Sequence, residues 1–318
     1  MNINNSHQQV SFKSSMTLFV LLLTVLLLNN TAFAKTKVLI INSNGAVPKY
    51  QQAQTGFSSH HNFSIDVLDM SKTRVNARRI ARIIDRKSPD LIYAIGTKAY
   101  MAAYNNKLTM PMVFSSIINW KRLPTNKYIY GVAVEVPLNY QLFIYHYFFP
   151  KIHKIGILYN KTYNAELVNK AMTISKTMNI QVIAQPLRRN QSINIVAKKL
   201  LKKVDAIWLL ADPVVLSSRK NVVSLFKLAN RASVPIFSYE PAFKNFGSTL
   251  TISADPRTIG SQSATLATLA EKILLKQDVK KHHQDPAGTH IILNLKQVDA
   301  LRLQFNEESF DSVTEIIE

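Results

Sequence analysis

Polar and small residues recur at the ends of short apolar runs: Asn42 and Ser43, Gly96 and Thr97, Ser115 and Ser116, Asn160 and Asn164, Asp212, and Tyr239 with Glu240. Hydroxyls and amides of this kind hold small polar ligands by hydrogen bonds, and the two acids suit an ammonium group. Gly96-Thr97 also precedes a helix-favouring stretch containing Ala99, Met101, Ala102 and Ala103. Thr97 is a good N-cap there, and a helix N-terminus gathers free N–H groups that suit a carboxylate or phosphate. The chemistry implied is binding, with Thr97 and Ser115 or Ser116 on an anionic group. Asp212 or Glu240 then pairs a cation, and Tyr159, Tyr239 or Trp120 covers an apolar part. Taken singly, each position is explained by turn or capping chemistry. Falling together at equivalent chain positions, they read as one ligand-binding site.

Catalytic constellations are missing. The chain has no G-x-S-x-G elbow, no G-x-x-x-x-G-K-[ST] loop and no H-E-x-x-H. It has no cysteine, which removes disulfides, thiolate metal sites and cysteine nucleophiles. The pairs His60-His61 and His282-His283 lack partners at ligand spacing. No catalytic residue, metal or cofactor is expected, and an exported enzyme is a distant alternative that hydrolysis of ester or glycoside libraries would revive.

The elements that position these residues alternate. Val38–Asn42, Phe63–Leu68, Leu91–Ile95, Pro111–Ser116 and Tyr128–Val134 read as strands, separated by helices over Tyr50–Phe57, Val75–Asp85 and from Thr97. After Pro137, an aromatic-rich helix over Leu138–Phe149 places Tyr140, Phe143, Tyr147 and Phe148 in a core or domain interface. The alternation then restarts. Lys154–Asn160, Gln181–Leu187, Ala206–Pro213, Pro235–Glu240 and Gly247–Ser253 read as strands. Glu166–Met178, Ile193–Leu201, Val222–Arg231 and Ile259–Leu275 read as helices. A polar loop over Lys280–Gly288, a strand from Ile291 and a helix over Lys296–Leu303 finish the fold.

The two halves match in character: Asp90–Ile95 with Asp205–Leu210, and Pro111–Ser115 with Pro235–Tyr239. This predicts an α/β fold of two Rossmann-like lobes with parallel sheets, hinge-linked, with a ligand cleft between them. The expected division is 1–34 as a signal peptide, 35–136 plus about 255–285 as the N-terminal lobe, and 137–254 plus about 286–318 as the C-terminal lobe.

At 318 residues the chain is long enough for two such lobes. Lys13, the apolar run Met16–Leu28 and Ala32-Phe33-Ala34 form a secretory signal, with cleavage after Ala34. The apolar run is well short of the roughly 20 residues of a membrane span. The mature chain is therefore expected to be soluble and periplasmic. The full sequence has a formal net charge of +20, which attracts polyanions. The basic residues nevertheless lie in short helical clusters, such as Arg78-Arg79, Lys198-Lys199 and Lys202-Lys203, which read as solvated faces, and no nucleic-acid module is present.

The ordered set of Pro89–Thr97, Met110–Ser115, Tyr130-Gly131-Val132, Phe149–Asn160, Val204–Trp208, Val234–Phe237 and Leu293-Asn294-Leu295 resembles a known family. It is that of ABC-transporter substrate-binding proteins of the tryptophan/tyrosine-binding type, which are type I periplasmic binding proteins. The resemblance implies two lobes, three hinge crossings and a small ligand, often an aromatic amino acid, passed to an ABC permease in the inner membrane. This sequence departs from the family near the expected pocket. Asn119-Trp120 stands where an aspartate-proline pair is usual, and Asn44-Gly45-Ala46 where a His-Pro pair is usual. The implied function is delivery of a small polar or amino-acid-like ligand to an ABC importer. The alternative is a ligand sensor that reports to a membrane receptor or kinase without transport. A monomer is expected.

Overall fold

Strands that are apolar along their whole length must be covered on both faces, so they need helices on each side. A computed structural model of the chain describes residues 35–72, 77–106, 109–274 and 282–318. It begins with β1 (Thr36–Asn42), α1 (Pro48–Ser58), β2 (Phe63–Asp69), α2 (Ala77–Lys87), β3 (Leu91–Ile95), α3 (Thr97–Tyr104), β4 (Met112–Ser115) and β5 (Ile129–Val132). It continues with α4 (Leu138–Phe148), β6 (Lys154–Tyr159), α5 (Lys161–Ser175), β7 (Gln181–Pro186), α6 (Ile193–Leu201), β8 (Ala206–Trp208), α7 (Arg219–Arg231), β9 (Ile236–Ser238) and β10 (Leu250–Ala254). The last elements are α8 (Pro256–Leu274), β11 (His283–Gln284), β12 (Thr289–Asn294), α9 (Leu295–Ala300) and β13 (Glu315–Ile317). The signal sequence with its cleavage point after Ala34, the start of the helix expected from Val75, and Leu275 lie outside the described residues.

Two sheets form. One is six-stranded, in the order β11-β5-β4-β3-β1-β2, and the other seven-stranded, β13-β12-β10-β9-β8-β6-β7. Each contains the doubly wound order 2-1-3-4-5, first in β1–β5 and again in β6–β10. The described registers are parallel except that of β10 with β12. Register places the strand ends together: Asn42 lies beside Ile95, and Ile95 beside Ser115. The chain passes between sheets after β5, after β10 and after β11. Thus α8, which follows β10, packs on α1 and on β3, β4 and β5 of the first sheet.

The core follows the apolar pattern. Val38, Ile40, Leu91, Tyr93 and Ile95 are buried in the first sheet, as are Ile155, Ile157, Ala206 and Trp208 in the second. The basic clusters at Arg78-Arg79, Lys198-Lys199 and Lys202-Lys203 are exposed, as solvated faces are.

Several elements differ from the sequence reading. On α4 the buried apolar side chains are Leu142, Ile144, Tyr145 and Phe148, while Phe143 is 54 % exposed and stacks on Tyr147. Helical spacing carries position 143 to the outer face. The polar loop expected over Lys280–Gly288 contains β11, and β13 lies beyond the expected last helix. Strands of two or three residues carry no readable alternation. The strand from Ala206 is regular only to Trp208; Leu209 still donates to Phe237 O at 2.8 Å, Leu209 to Asp212 are irregular, and a turn follows over 213–216.

Candidate functional site

The carboxyl ends of the two sheets supply the site, and most of their polar groups turn out to hold the backbone. Gly96 has φ 84°, a region that β-carbon-bearing residues avoid, and a Cβ there would crowd Ser43 Oγ and the Tyr50 ring. Thr97 does not cap α3. It is the first helical residue, is exposed, and Gly96 occupies the cap position without a side-chain bond. The capping role falls to Ser43, whose Oγ accepts the Ala99 N–H at 3.0 Å from the end of β1. The helix N-terminus expected to hold an anion therefore already has a hydroxyl on it.

Asn42 is fully buried. Its Oδ1 accepts the Asn44 N–H at 3.0 Å and its Nδ2 donates to Gln54 Oε1 at 3.0 Å. Ser115 sits beneath the surface, sharing a 2.6 Å hydrogen bond with the Tyr93 hydroxyl. Burial pushes that hydroxyl up to about 12.

Asp212 has a different place from the amine partner suggested by its strand-end position. It is 0 % exposed, and both carboxylate oxygens are occupied. Oδ2 accepts from Asn160 N and Asn164 Nδ2, both at 2.7 Å, and Oδ1 from Val214 N at 2.9 Å and Val215 N at 3.0 Å. Donors from two chain segments converge on it, so it ties the β6–α5 turn to the turn after β8. Asn160 caps α5, its Oδ1 accepting the Thr162 N–H at 3.1 Å, and donates to Leu187 O at 2.8 Å.

Between the sheets lies a cleft of about 770 Å³. Four of the residues singled out from sequence line it: Ser116, Asn164, Tyr239 and Glu240. Asn42, Ser43, Gly96, Thr97, Ser115, Asn160 and Asp212 are absent from its wall. The apolar lining comes from Ile118, Val134, Leu167, Trp208, Leu210 and Ile252. Trp120 and Tyr159 do not line it; Trp120 stacks on His283 at 4.2 Å between ring centres, against Phe114. Burial pushes the Tyr239 hydroxyl well above the ordinary tyrosine range, with the Glu240 charge adding to it. Among the described residues, no group of three or more His, Asp and Glu gathers where a metal would sit.

Among the described residues, Lys49, Arg122 and Asn119 reach from one wall to the other. Lys49 Nζ donates to Glu240 Oε2 at 2.9 Å. Arg122 Nη2 donates to Tyr163 O at 2.6 Å and Asn164 Oδ1 at 3.2 Å. Asn119 Nδ2 donates to Ala211 O at 3.3 Å. At the base, buried Gln141 donates to Val136 O at 2.7 Å and accepts from Trp208 Nε1 at 3.2 Å, linking the crossing after β5 to β8.

The sequence reading missed Glu135, Gln141 and Lys49 on this wall. Glu135 stands in Val134-Glu135-Val136-Pro137, an acid alone in an apolar segment before a proline. That was the available signal. One of its oxygens accepts the Asn119 N–H, while Oε2 is shut off from solvent and has no hydrogen-bond partner. Burial pushes the carboxyl up, against the opposing backbone N–H groups of Asn119, Glu135 and Val134 and the charge of Lys121.

Comparison with known proteins agrees with this architecture. The family described as ABC transporter substrate binding protein matches residues 52–317. A tyrosine-binding protein of Clostridioides difficile (strain R20291) is 24% identical over 258 residues, 78% of this chain and 73% of that one. Among solved structures, the ligand-free, open form of a Clostridium difficile substrate binding protein with adhesive properties superposes with a TM-score of 0.69. It is 20% identical, over 89% of this chain and 99% of that one. The ABC domain from Streptococcus pneumonia in complex with L-Trp gives 0.58 at 16% identity, over 89% of this chain and 100% of that one. A parallel two-sheet fold with a cleft between its strand ends, matched along most of its length by one family, means that this chain belongs to the ABC transporter substrate binding proteins.

Proposed function

We propose that the protein is an exported solute-binding protein that captures a small amino-acid-like ligand in the cleft and delivers it to an ABC permease. The observation that carries this reading is the cleft of about 770 Å³ between the carboxyl ends of two sheets, its open surface mostly apolar with polar and charged side chains set into it. That is the usual make-up of a small-molecule site. The lobes are 35–136 with about 255–285, and 137–254 with about 286–318. They close around the ligand through the three crossings. Ser116, Asn164, Tyr239 and Glu240 contact the ligand. Asn42, Ser43, Gly96, Ser115, Asn160 and Asp212 hold the turns that present them, and Thr97 opens α3 beside them. The tyrosine-binding relative and the L-Trp-bound neighbour support an amino-acid ligand. Cleavage after Ala34 releases the chain into the periplasm as a monomer without enzymatic activity.

A thermal-shift screen of the chain from Lys35 tests the reading. A ligand at ~100 times its Kd stabilises by about 2.7 kcal/mol, a shift the melting curve resolves. The expected result is a shift with one or more amino acids, and loss of uptake of the same compound from cells lacking the gene. A melting curve unmoved by all amino acids and their close analogues refutes the amino-acid assignment.

A further inference from the structure

Glu135 lies on the first crossing between the sheets, where the walls of the cleft meet, and is part of its lining. A buried carboxylate is costly unless paired and hydrogen-bonded. One Glu135 oxygen is served by the Asn119 N–H, and Oε2 has no partner at hydrogen-bond geometry, the nearby Val134 and Glu135 backbone N–H groups acting on the carboxyl more weakly. The exposed Lys121 acts on it through charge alone, without an ion pair among those described.

The other carboxylates described on the wall already have partners. Glu240 faces Lys49, and Glu315 faces both Lys244 and His290. Asp255 accepts from the Arg257 N–H at 2.9 Å and the Thr258 hydroxyl at 2.8 Å. Among the described cleft residues, Glu135 and Asp255 are the carboxylates without an ion pair; Asp255 has both oxygens bonded, so Glu135 is the one with an oxygen left unserved, and the cations Lys49 and Lys244 each face a carboxylate. What the cleft lacks is a positively charged donor, and its apolar wall calls for a hydrophobic body on the same molecule.

We propose that Glu135 is the ammonium-binding group of the cleft, and that the ligand class is a primary amine with an apolar or aromatic body. The inference rests on the solute-binding reading and deepens it. A carboxylate on the ligand is not required, because no unpaired cationic side chain among the described wall residues answers it. The ligand ammonium donates to Glu135, and its body packs against Trp208, Tyr239 and Ile252. Binding follows a small turn of the Glu135 side chain that brings Oε2 to the cleft.

Calorimetric titration of the chain from Lys35 tests this with L-tyrosine, L-tryptophan, L-leucine and tyramine, and with N-acetyl-L-tyrosine, which has no ammonium. The same panel is applied to Glu135→Gln and Glu135→Asp, with circular dichroism checking that each variant is folded. The expected result is that one or more ammonium compounds bind, N-acetyl-L-tyrosine does not, Glu135→Gln weakens binding at least tenfold and Glu135→Asp less. If an ammonium compound binds the wild type and Glu135→Gln equally, the Glu135 assignment is overturned while the solute-binding reading stands. The assignment is equally overturned, and the solute-binding reading equally kept, if only neutral or anionic solutes bind in a parallel melting screen. If no solute of any charge binds, both fall.

Discussion

Glu135 and Asp212 are two buried carboxylates with opposite surroundings, and their variants should behave oppositely. Asp212 accepts four hydrogen bonds, so Asp212→Ala strands their donors at the ends of two turns. Each unsatisfied buried donor costs about 1–3 kcal/mol before relaxation and water entry. We predict a fall in unfolding free energy of roughly 2–4 kcal/mol, read by urea denaturation. A fall below the measurement error refutes the structural role. Glu135 runs the other way. Its folded carboxyl is raised from 4.5, so the folded state binds more protons than the unfolded one between the ordinary and the raised value. Stability is then greatest below that window and is lost as pH rises through it. Glu135→Gln removes the loss and should stabilise the ligand-free protein by about 1–3 kcal/mol at neutral pH, with no gain near pH ~4. An equal gain at both pH values refutes the assignment. For the ligand the sign is set by charge: an ammonium needs the ionised form, so affinity should fall as acid protonates Glu135. Lys121 and the Asn119 N–H oppose that protonation. The sequence marks both kinds of acid as strand-end or loop polar groups. It does not separate them, because which one receives donors depends on turns brought together from far along the chain.

At the scale of elements, much of the strand and helix order was legible, since the long apolar runs and amphipathic helices carry clear periods. The 2-1-3-4-5 order repeated in both sheets follows from right-handed crossovers between such units. What was not legible came from short edge strands and from packing between distant helices. One such packing joins α1 and α8 through two glycines. A Cβ on Gly56 would overlap the Arg257 carbonyl oxygen, and one on Gly260 would overlap the Ala53 carbonyl oxygen. In both cases the obstacle is backbone, so the helices must separate rather than a side chain turn aside. Helix propensity alone favours alanine over glycine by about 1 kcal/mol. The overlap costs about 1–3 kcal/mol or more, so Gly260→Ala should lower the melting temperature by a few degrees. A melting temperature that is unchanged or higher shows that the helices part without cost. Because α8 follows the second crossing, loosening it also loosens the link through which one sheet moves relative to the other.

For the whole molecule the question is what sets the width of the cleft in the absence of ligand. The contacts described across it are few, and they lie partly in water. Lys49 and Glu240 have side-chain exposures of 36% and 25%, and Arg122 is exposed where it reaches Tyr163 and Asn164. Pairs of this kind contribute about 0.2–1 kcal/mol each. That is enough to bias an opening equilibrium and too little to lock it, so a ligand with a modest preference for the narrow form can drive closure. Removing both cross-cleft cations should therefore widen the ligand-free protein without unfolding it. We expect the Lys49→Ala, Arg122→Ala double variant to show a larger radius of gyration by small-angle X-ray scattering. Its affinity should fall by roughly two- to tenfold, because part of the binding energy is now spent on narrowing the cleft. Raising the salt concentration should move the wild type in the same direction, since the Lys49–Glu240 pair is reached by solvent. An unchanged radius together with unchanged affinity means that the crossings after β5, β10 and β11, and not the surface contacts, hold the walls where they are.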